Sequence, residues 1–200
     1  MTLANSFITK HALAQALQEL METVPFEKIS ITQICEKCGM NRKSFYYHFK
    51  DKYDLVHWIF DRDFEQITGP EGTVETDENQ WDVLEKLCRC FYKNRHFYRK
   101  AFQIKGQNSF VEYFRERCRP FLRARLNVLI GEDWTDDFTV NFFADAFICA
   151  MGRWLAEPDS LPPEEFVART KHLIQNGAAA IYEETESEEE AGEKTEKEKM

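Results

Sequence analysis

Apolar residues recur at three- and four-residue intervals along most of this chain, and no alternating run bounded by turn residues interrupts them, so the pattern predicts helix almost throughout. Phe7, Leu13, Leu17, Leu20, Met21 and Val24 form one stripe of an amphipathic helix that Pro25 ends. "SITQICEKCG" then opens with a capping box, Ser30 with Gln33, turns Ile31, Ile34, Cys35 and Cys38 inward, and stops at Gly39 in a left-handed turn. Asn41 caps a very short helix, and Asp51 starts a longer one that runs to about Gly69–Pro70. One helix, two short helices around a tight glycine turn and a long successor make a helix-turn-helix arrangement.

The remainder carries the same period. Trp81, Leu84, Leu87, Cys88 and Phe91 share one side of a helix, and the short aromatic piece "RHFYRKAFQIKG" follows. "NSFVEYFRERCRPFLRARLNVLIG" contains Pro120, where a kink is expected. "TDDFTVNFFADAFICAMGRWLAE" is the most apolar helix, and Pro162–Pro163 lead into a last helix with acids in its first turn. The predicted fold is all-α, with a helix-turn-helix head over residues 1–50 and a helical body over 51–182, of which 51–68 is a linker helix. Residues 183–200 hold nine Glu and three Lys with almost nothing apolar, which predicts an acidic disordered tail.

Charge sharpens the picture at one place. The chain has a net charge of −9, of which the tail supplies six negative charges, yet "NRKSFYYHFKDK" over residues 41–52 is net +3. At about 100° per residue, Phe45 and Phe49 fall on one side of a helix over residues 42–49. Lys43, Ser44, Tyr46 and Tyr47 fall on the other, with Arg42 and His48 at the edges. Two phenylalanines packed on Leu17, Leu20 and Ile34 would hold that helix still while a cation, a hydroxyl and two phenols face outward. Such a surface suits phosphates and base edges in a major groove. The alternative is a solvated basic turn.

"ITQICEKCGMNRKSFYYHFKDKYDL" closely resembles the DNA-binding region of the TetR/AcrR family of regulators, in its isoleucine-led helix, glycine turn, Ser-aromatic-Tyr-x-His-Phe run and following lysine. The resemblance spans about residues 6–60. "HWIFDRDF", residues 57–64, is similar to the branch that includes dihydroxyacetone-kinase regulators. The resemblance implies a homodimer whose heads sit in successive major grooves of a palindromic double-stranded DNA operator. Carried over, Lys43, Ser44 and Tyr47 would read bases beside Arg42, while Ser30, Thr32, Tyr46, His48 and Lys52 would hold phosphates. The body would bind an effector and dimerise through its last two large helices. Cys35 and Cys38 depart from the alanines many members have there.

A Cys-x-x-Cys pair raises zinc, but two further ligands at metal spacing are missing, so Cys35 and Cys38 are expected to pack as small apolar groups and no metal or cofactor is predicted. The aromatic wealth of the body, with 17 Phe in the chain, is by default a core. The resemblance adds a pocket, for which Trp58, Phe102, Phe114, Phe147 and Cys149 are candidates, with Gln107, Asn108 and Arg115 as polar anchors. An apolar or aromatic small molecule would suit it. Large and small residues alternate around Phe142, Ala146, Ala150 and Arg153, and with Ala178 they are the candidate dimer face.

No Gly-rich phosphate loop, nucleophile elbow or paired-carboxylate motif is present, so an enzyme is not expected. The competing reading is a helical interaction module acting through a partner protein, a co-regulator, without an effector of its own. No run approaches a membrane span and no secretory signal pattern opens the chain, so a cytoplasmic protein with reduced thiols and no membrane partner is expected.

Overall fold

The computed structural model describes residues 3–69, 77–106 and 108–177, and among them every regular element is a helix. In chain order these are α1 (Leu3–Thr23), a 3-10 turn (Phe26–Lys28), α2 (Ile31–Lys37), α3 (Arg42–His48) and α4 (Lys52–Thr68). The body adds α5 (Asp77–Lys93), α6 (Arg95–Ala101), α7 (Phe110–Ile130) and α8 (Asp137–Ala156). A last helix, α9, covers residues 163–177. Ala178, Gln107 and the acidic tail lie outside the described residues.

Local chemistry sets the boundaries in the head. Ser30 accepts the Gln33 N–H and the Gln33 side chain accepts the Ser30 N–H, closing the capping box that starts α2. At the other end Gly39 has φ +67°, its N–H meets the Glu36 carbonyl, and the Met40 N–H returns 2.8 Å to the Cys35 carbonyl. That pair of bonds is a Schellman stop, and only glycine takes the left-handed position without cost. Asn41 Oδ1 accepts the Ser44 N–H and starts α3, and Asp51 accepts the N–H groups of Tyr53 and Asp54 and starts α4.

The head has no separate core. Leu13, Leu17 and Met21 of α1, Ile34 and Cys35 of α2, and Phe45 and Phe49 beside α3 are buried in one cluster that continues through Leu55, Ile59 and Phe60 of α4 into the body. There it becomes aromatic: Phe60, Phe91, Tyr98, Phe110 and Phe114 are all fully buried, with Phe91 stacked on Tyr98 at 3.9 Å and Phe60 edge-on to Phe114 at 5.4 Å. Phe7 departs from its predicted stripe. It is 62% exposed, and among the described residues its ring meets that of His11 at 4.1 Å. α7 is continuous through Pro120. A second small cluster, Leu126, Ile130 and Val140, closes the corner between α7 and α8.

α8 is divided lengthwise. Val140, Ala144, Ile148, Met151 and Leu155 face the core, while Phe138, Phe142, Ala146, Cys149, Ala150 and Arg153 are exposed along the opposite flank. Trp154 ties α8 to α9, since its indole N–H donates to the Leu161 carbonyl at 2.7 Å and its ring stacks on Phe166 at 4.5 Å.

Candidate nucleic-acid interface and effector cavity

α3 is held from beneath and open above. Phe45 is fully buried and Phe49 nearly so, whereas Arg42, Lys43, Tyr46 and Tyr47 are exposed, Tyr47 to 69%. Seven residues make fewer than two turns, too short to stand alone, so the packing of the two rings is what keeps α3 helical. On the outer face the Arg42 guanidinium lies 5.8 Å from the Tyr46 ring and donates to its hydroxyl at 3.4 Å, while the His48 ring meets Tyr47 edge-on at 4.8 Å. Burial, and after it the nearby Lys10 ammonium, hold the His48 imidazole below its ordinary range, so at neutral pH it is an uncharged donor or acceptor. Ser30 and Thr32 are exposed at the start of α2, with the Ser30 hydroxyl also turned to Gln33 Oε1 at 3.0 Å.

Lys52 is engaged within the chain. The sequence reading gave its ammonium to phosphate, but Nζ donates to the carbonyls of Phe26 (2.8 Å), Glu27 (3.2 Å) and Ile29 (2.8 Å). An ammonium has three donors, and here all three satisfy the 3-10 turn before α2, with the Phe26 ring 4.5 Å away. Lys52 is a clamp between the start of α4 and the turn that presents α2.

The body holds a cavity of about 120 Å³ lined by Phe64, Trp81, Phe121, Leu122, Phe147 and Ile148, among others. Of the five sequence candidates for a pocket, only Phe147 lines it. Trp58 instead fills the joint between head and body, with Phe49 at 5.8 Å and His11 at 5.3 Å. Phe114 is sealed in the aromatic core, and Phe102 packs against Gly152, where an added Cβ would meet its ring at 3.4 Å. Cys149 is exposed on the far flank of α8. Asn108 is exposed and Arg115 is occupied by Glu112 and Asp145, so neither anchors the cavity. Phe142, Ala146, Ala150 and Arg153 of the candidate dimer face are exposed.

Two polar groupings on α4 escaped the sequence reading. Asp63, 5% exposed, accepts the Tyr98 hydroxyl at 2.7 Å on one oxygen and Arg62 Nε and Nη2 at 2.9 and 2.6 Å on the other. Cys90 adds its thiol at 3.7 Å. Burial first and Asp63 second push the Tyr98 phenol far above its usual range and the Cys90 thiol to about 11, so both stay protonated donors. One turn earlier the His57 ring stacks on Tyr113 of α7 at 4.0 Å, and Asp61 takes the Tyr113 hydroxyl and the Arg117 guanidinium. The only advance signal was an acid at position 63 inside the apolar stripe of α4.

Known proteins share this organisation. Residues 12–59 match the family model described as "Bacterial regulatory proteins, tetR family", and residues 78–176 match "Transcriptional regulator C-terminal region". The chain is 26% identical over 149 residues to the "HTH-type dhaKLM operon transcriptional activator DhaS" of Lactococcus lactis subsp. lactis (strain IL1403), a match covering 74% of this chain and 75% of that protein. Among solved structures, the "Dihydroxyacetone kinase operon activator DhaS" superposes with a TM-score of 0.60 at 22% identity, over 86% of this chain and 97% of that one. A TetR transcriptional regulator from Streptococcus agalactiae 2603V gives 0.65 at 19% identity, over 86% and 96%. A helix-turn-helix head and a helical body that each match their own part of one regulator family, across nearly three quarters of the sequence, leave a single conclusion: the chain belongs to the TetR family of bacterial transcriptional regulators, which bind DNA, and within it is similar to DhaS.

Proposed function

We propose that this regulator acts as a homodimer on a palindromic operator, reading it through the outer face of α3, and that occupation of the body cavity by an effector shifts the separation of the two heads. The observation that supports this most is the contrast across α3, with Phe45 and Phe49 buried and Arg42, Lys43 and Tyr47 open to an approaching duplex. In this reading Lys43, Ser44 and Tyr47 meet base edges with Arg42 beside them, and Tyr46, His48, Ser30 and Thr32 meet the backbone. Residues 1–50 serve as the head, 51–68 as the linker within a body reaching 182.

The exposed flank of α8, with α9 beside it, is the proposed contact between protomers. Large Phe142 and small Ala146 and Ala150 on one flank allow close approach of two helices. Two heads fit a duplex only when their recognition helices lie about 34–36 Å apart, so a change of a few ångströms between them costs much of the affinity. An effector works this way only by preferring one of the two spacings. The likeness to an activator of a dihydroxyacetone kinase operon makes such operons the first place to seek the operator.

The test is duplex selection from random sequence with the full chain, followed by salt titration of the selected site. Affinity falls steeply with salt in a backbone-anchored complex, by a slope of about 0.9 per phosphate neutralised. Arg42→Ala with Lys43→Ala should abolish selective binding while leaving the urea midpoint unchanged. Duplex affinity that survives this pair of changes would falsify the assignment of α3.

A further inference from the structure

We propose that Lys10 of α1 is a further contact to the duplex, its ammonium taking a backbone phosphate beside the last turn of α3. The inference rests on the reading of α3 as the duplex-facing helix and adds to it a cation from a different element.

Position comes first. The Lys10 ammonium lies 5.8 Å from the centre of the Phe49 ring and 5.8 Å from that of Trp58. Phe49 is the buried ring that closes α3, and the His48 ring has its centre 6.4 Å from the same ring. Lys10 and His48 therefore border one side chain, and the ammonium is near enough to help hold the imidazole below its ordinary range. Lys10 is half-buried, and a lysine in that setting lays its stem along apolar surface while its charged end stays in water. The ring that anchors α3 from beneath thus also sets where this cation stands.

Charge supplies the second argument. Trp58 has two cations against it, since the Arg62 guanidinium is 5.7 Å from the same ring. Arg62 is neutralised by Asp63 at 2.6 Å, and the other oxygen of Asp63 is taken by Tyr98. No acid among the described residues pairs with Lys10. Its two ring contacts stand near the roughly 6 Å limit of a useful cation–π interaction, and His48 and Arg62 beside it are bases. In a chain of net charge −9 this lysine lacks an anion where anions are otherwise abundant. A duplex docked on α3 supplies one. Lys43 and Ser44 would reach base edges from the first turn of α3, whereas His48 and Lys10 stand at its other end, where contacts go to the strand backbone. Phosphate accepts an ammonium as a point charge, so no particular fork geometry is needed there.

The experiment follows affinity of the full chain for its selected duplex across salt concentrations, in the unaltered protein, Lys10→Met and Lys10→Arg. The logarithmic salt slope should weaken by about 0.9 per head in Lys10→Met, or about 1.8 for two heads, and return in Lys10→Arg. Phosphate carries no sequence information, so Lys10→Met should weaken the selected and a scrambled duplex by the same factor and leave their ratio unchanged. A lysine that only steadies Phe49 gives the opposite pattern, a lower ratio and a lower urea midpoint with the slope unmoved, and that result overturns the inference. A slope that stays weak in Lys10→Arg, where the charge is kept, overturns it too. If the chain selects no duplex, this inference and the reading of α3 fall together. If binding depends on Arg42 and Lys43 while the slope ignores Lys10→Met, this inference falls alone.

Discussion

Replacing Lys52 with methionine separates two roles that a lysine at this position can have. The change keeps the stem and removes the ammonium, leaving the carbonyls of Phe26, Glu27 and Ile29 without their shared donor. Two of the three bonds are partly buried and one is exposed. A hydrogen bond to a charged group contributes about 1.5–3 kcal/mol, and the exposed one is largely replaced by water. Loss of the cation beside the Phe26 ring adds about 0.5 kcal/mol at a part-exposed site, and partial rehydration of the two inner carbonyls offsets some of the total. The expected destabilisation is about 2–3 kcal/mol. With a urea dependence of about 2 kcal/mol per molar, the unfolding midpoint falls by roughly 1 M. Lys52→Arg should recover only part of this, since a planar fork cannot direct its donors at three converging carbonyls as an ammonium does. If Lys52 is a clamp, the salt slope of operator binding by the methionine variant stays as it was. If it is a phosphate contact in each head, the slope weakens by about 1.8 for the two copies. A midpoint unmoved within about 0.3 M together with a flatter salt slope refutes the clamp.

Tyr98→Phe leaves one oxygen of buried Asp63 short of its strongest donor and should cost about 1–3 kcal/mol in urea unfolding, with little change in operator affinity once both proteins are folded. Acid should destabilise the chain before its carboxylates titrate. Burial lowers the His57 pKa below about 6.5, more than Asp54, Asp61 and Asp51 raise it, and burial acts on His11 and His48 in the same direction. Each of these histidines binds its proton more readily unfolded, so stability is full above about pH 6.5 and declines as the pH falls toward the folded-state values. His57→Phe, which keeps a ring on Tyr113, should reduce the difference between urea midpoints at pH 7.5 and 5.5; an unchanged difference would exclude His57 as a source. Ala146→Glu places a charge on the exposed flank of α8 and should yield monomers in sedimentation without loss of helicity; dimers that persist would move the protomer contact elsewhere.

What the sequence made legible was chemistry that closes within a few residues. Ser30 with Gln33, Gly39, Asn41 and Asp51 each act on backbone groups no more than four positions away, so the boundaries of α2, α3 and α4 could be read directly. The two faces of α3 follow from helical period alone. The bonds of Lys52 to its own chain were not legible because its partners lie 23 to 26 residues earlier, across a turn whose path no periodicity describes. Phe7 was misread for a related reason: a stripe records which side of a helix is apolar but not where the neighbouring helices stop. The cavity was least legible, since it is the gap left among α4, α5, α7, α8 and α9, and a gap belongs to no single segment. Trp58, Phe102 and Phe114 are as aromatic as Phe64, Trp81 and Phe121, and only packing decides which of them border empty space.

These contacts make α4 a shared element of both halves of the molecule, alongside α1, whose Glu22 carbonyl accepts the Lys100 ammonium of α6 at 3.0 Å. At the start of α4 Lys52 grips the turn before α2, and about one turn later Leu55 and Val56 enter the shared core. Trp58 packs on Phe49, the ring that anchors α3, while His57 and Asp61 on another side hold Tyr113 and Arg117 of α7. Asp63 is bonded to Tyr98 of α6, and Phe64 both stacks on Phe60 and borders the cavity. In the proposed mechanism a ligand that displaces Phe64 works against a helix whose far end is bonded to the turn before α2. A hydrogen-bonded helix of 17 residues bends little over this length, so under the proposed mechanism a displacement at Phe64 would be felt at Lys52 as a tilt. Asp63 would resist such a movement most, because its carboxylate is buried and separating it from Tyr98 leaves a buried charge short of a donor. The proposed response to an effector requires a second placement of α4 that keeps the Asp63–Tyr98 bond, so Tyr98→Phe should weaken the coupling between effector and operator more than it weakens either binding alone.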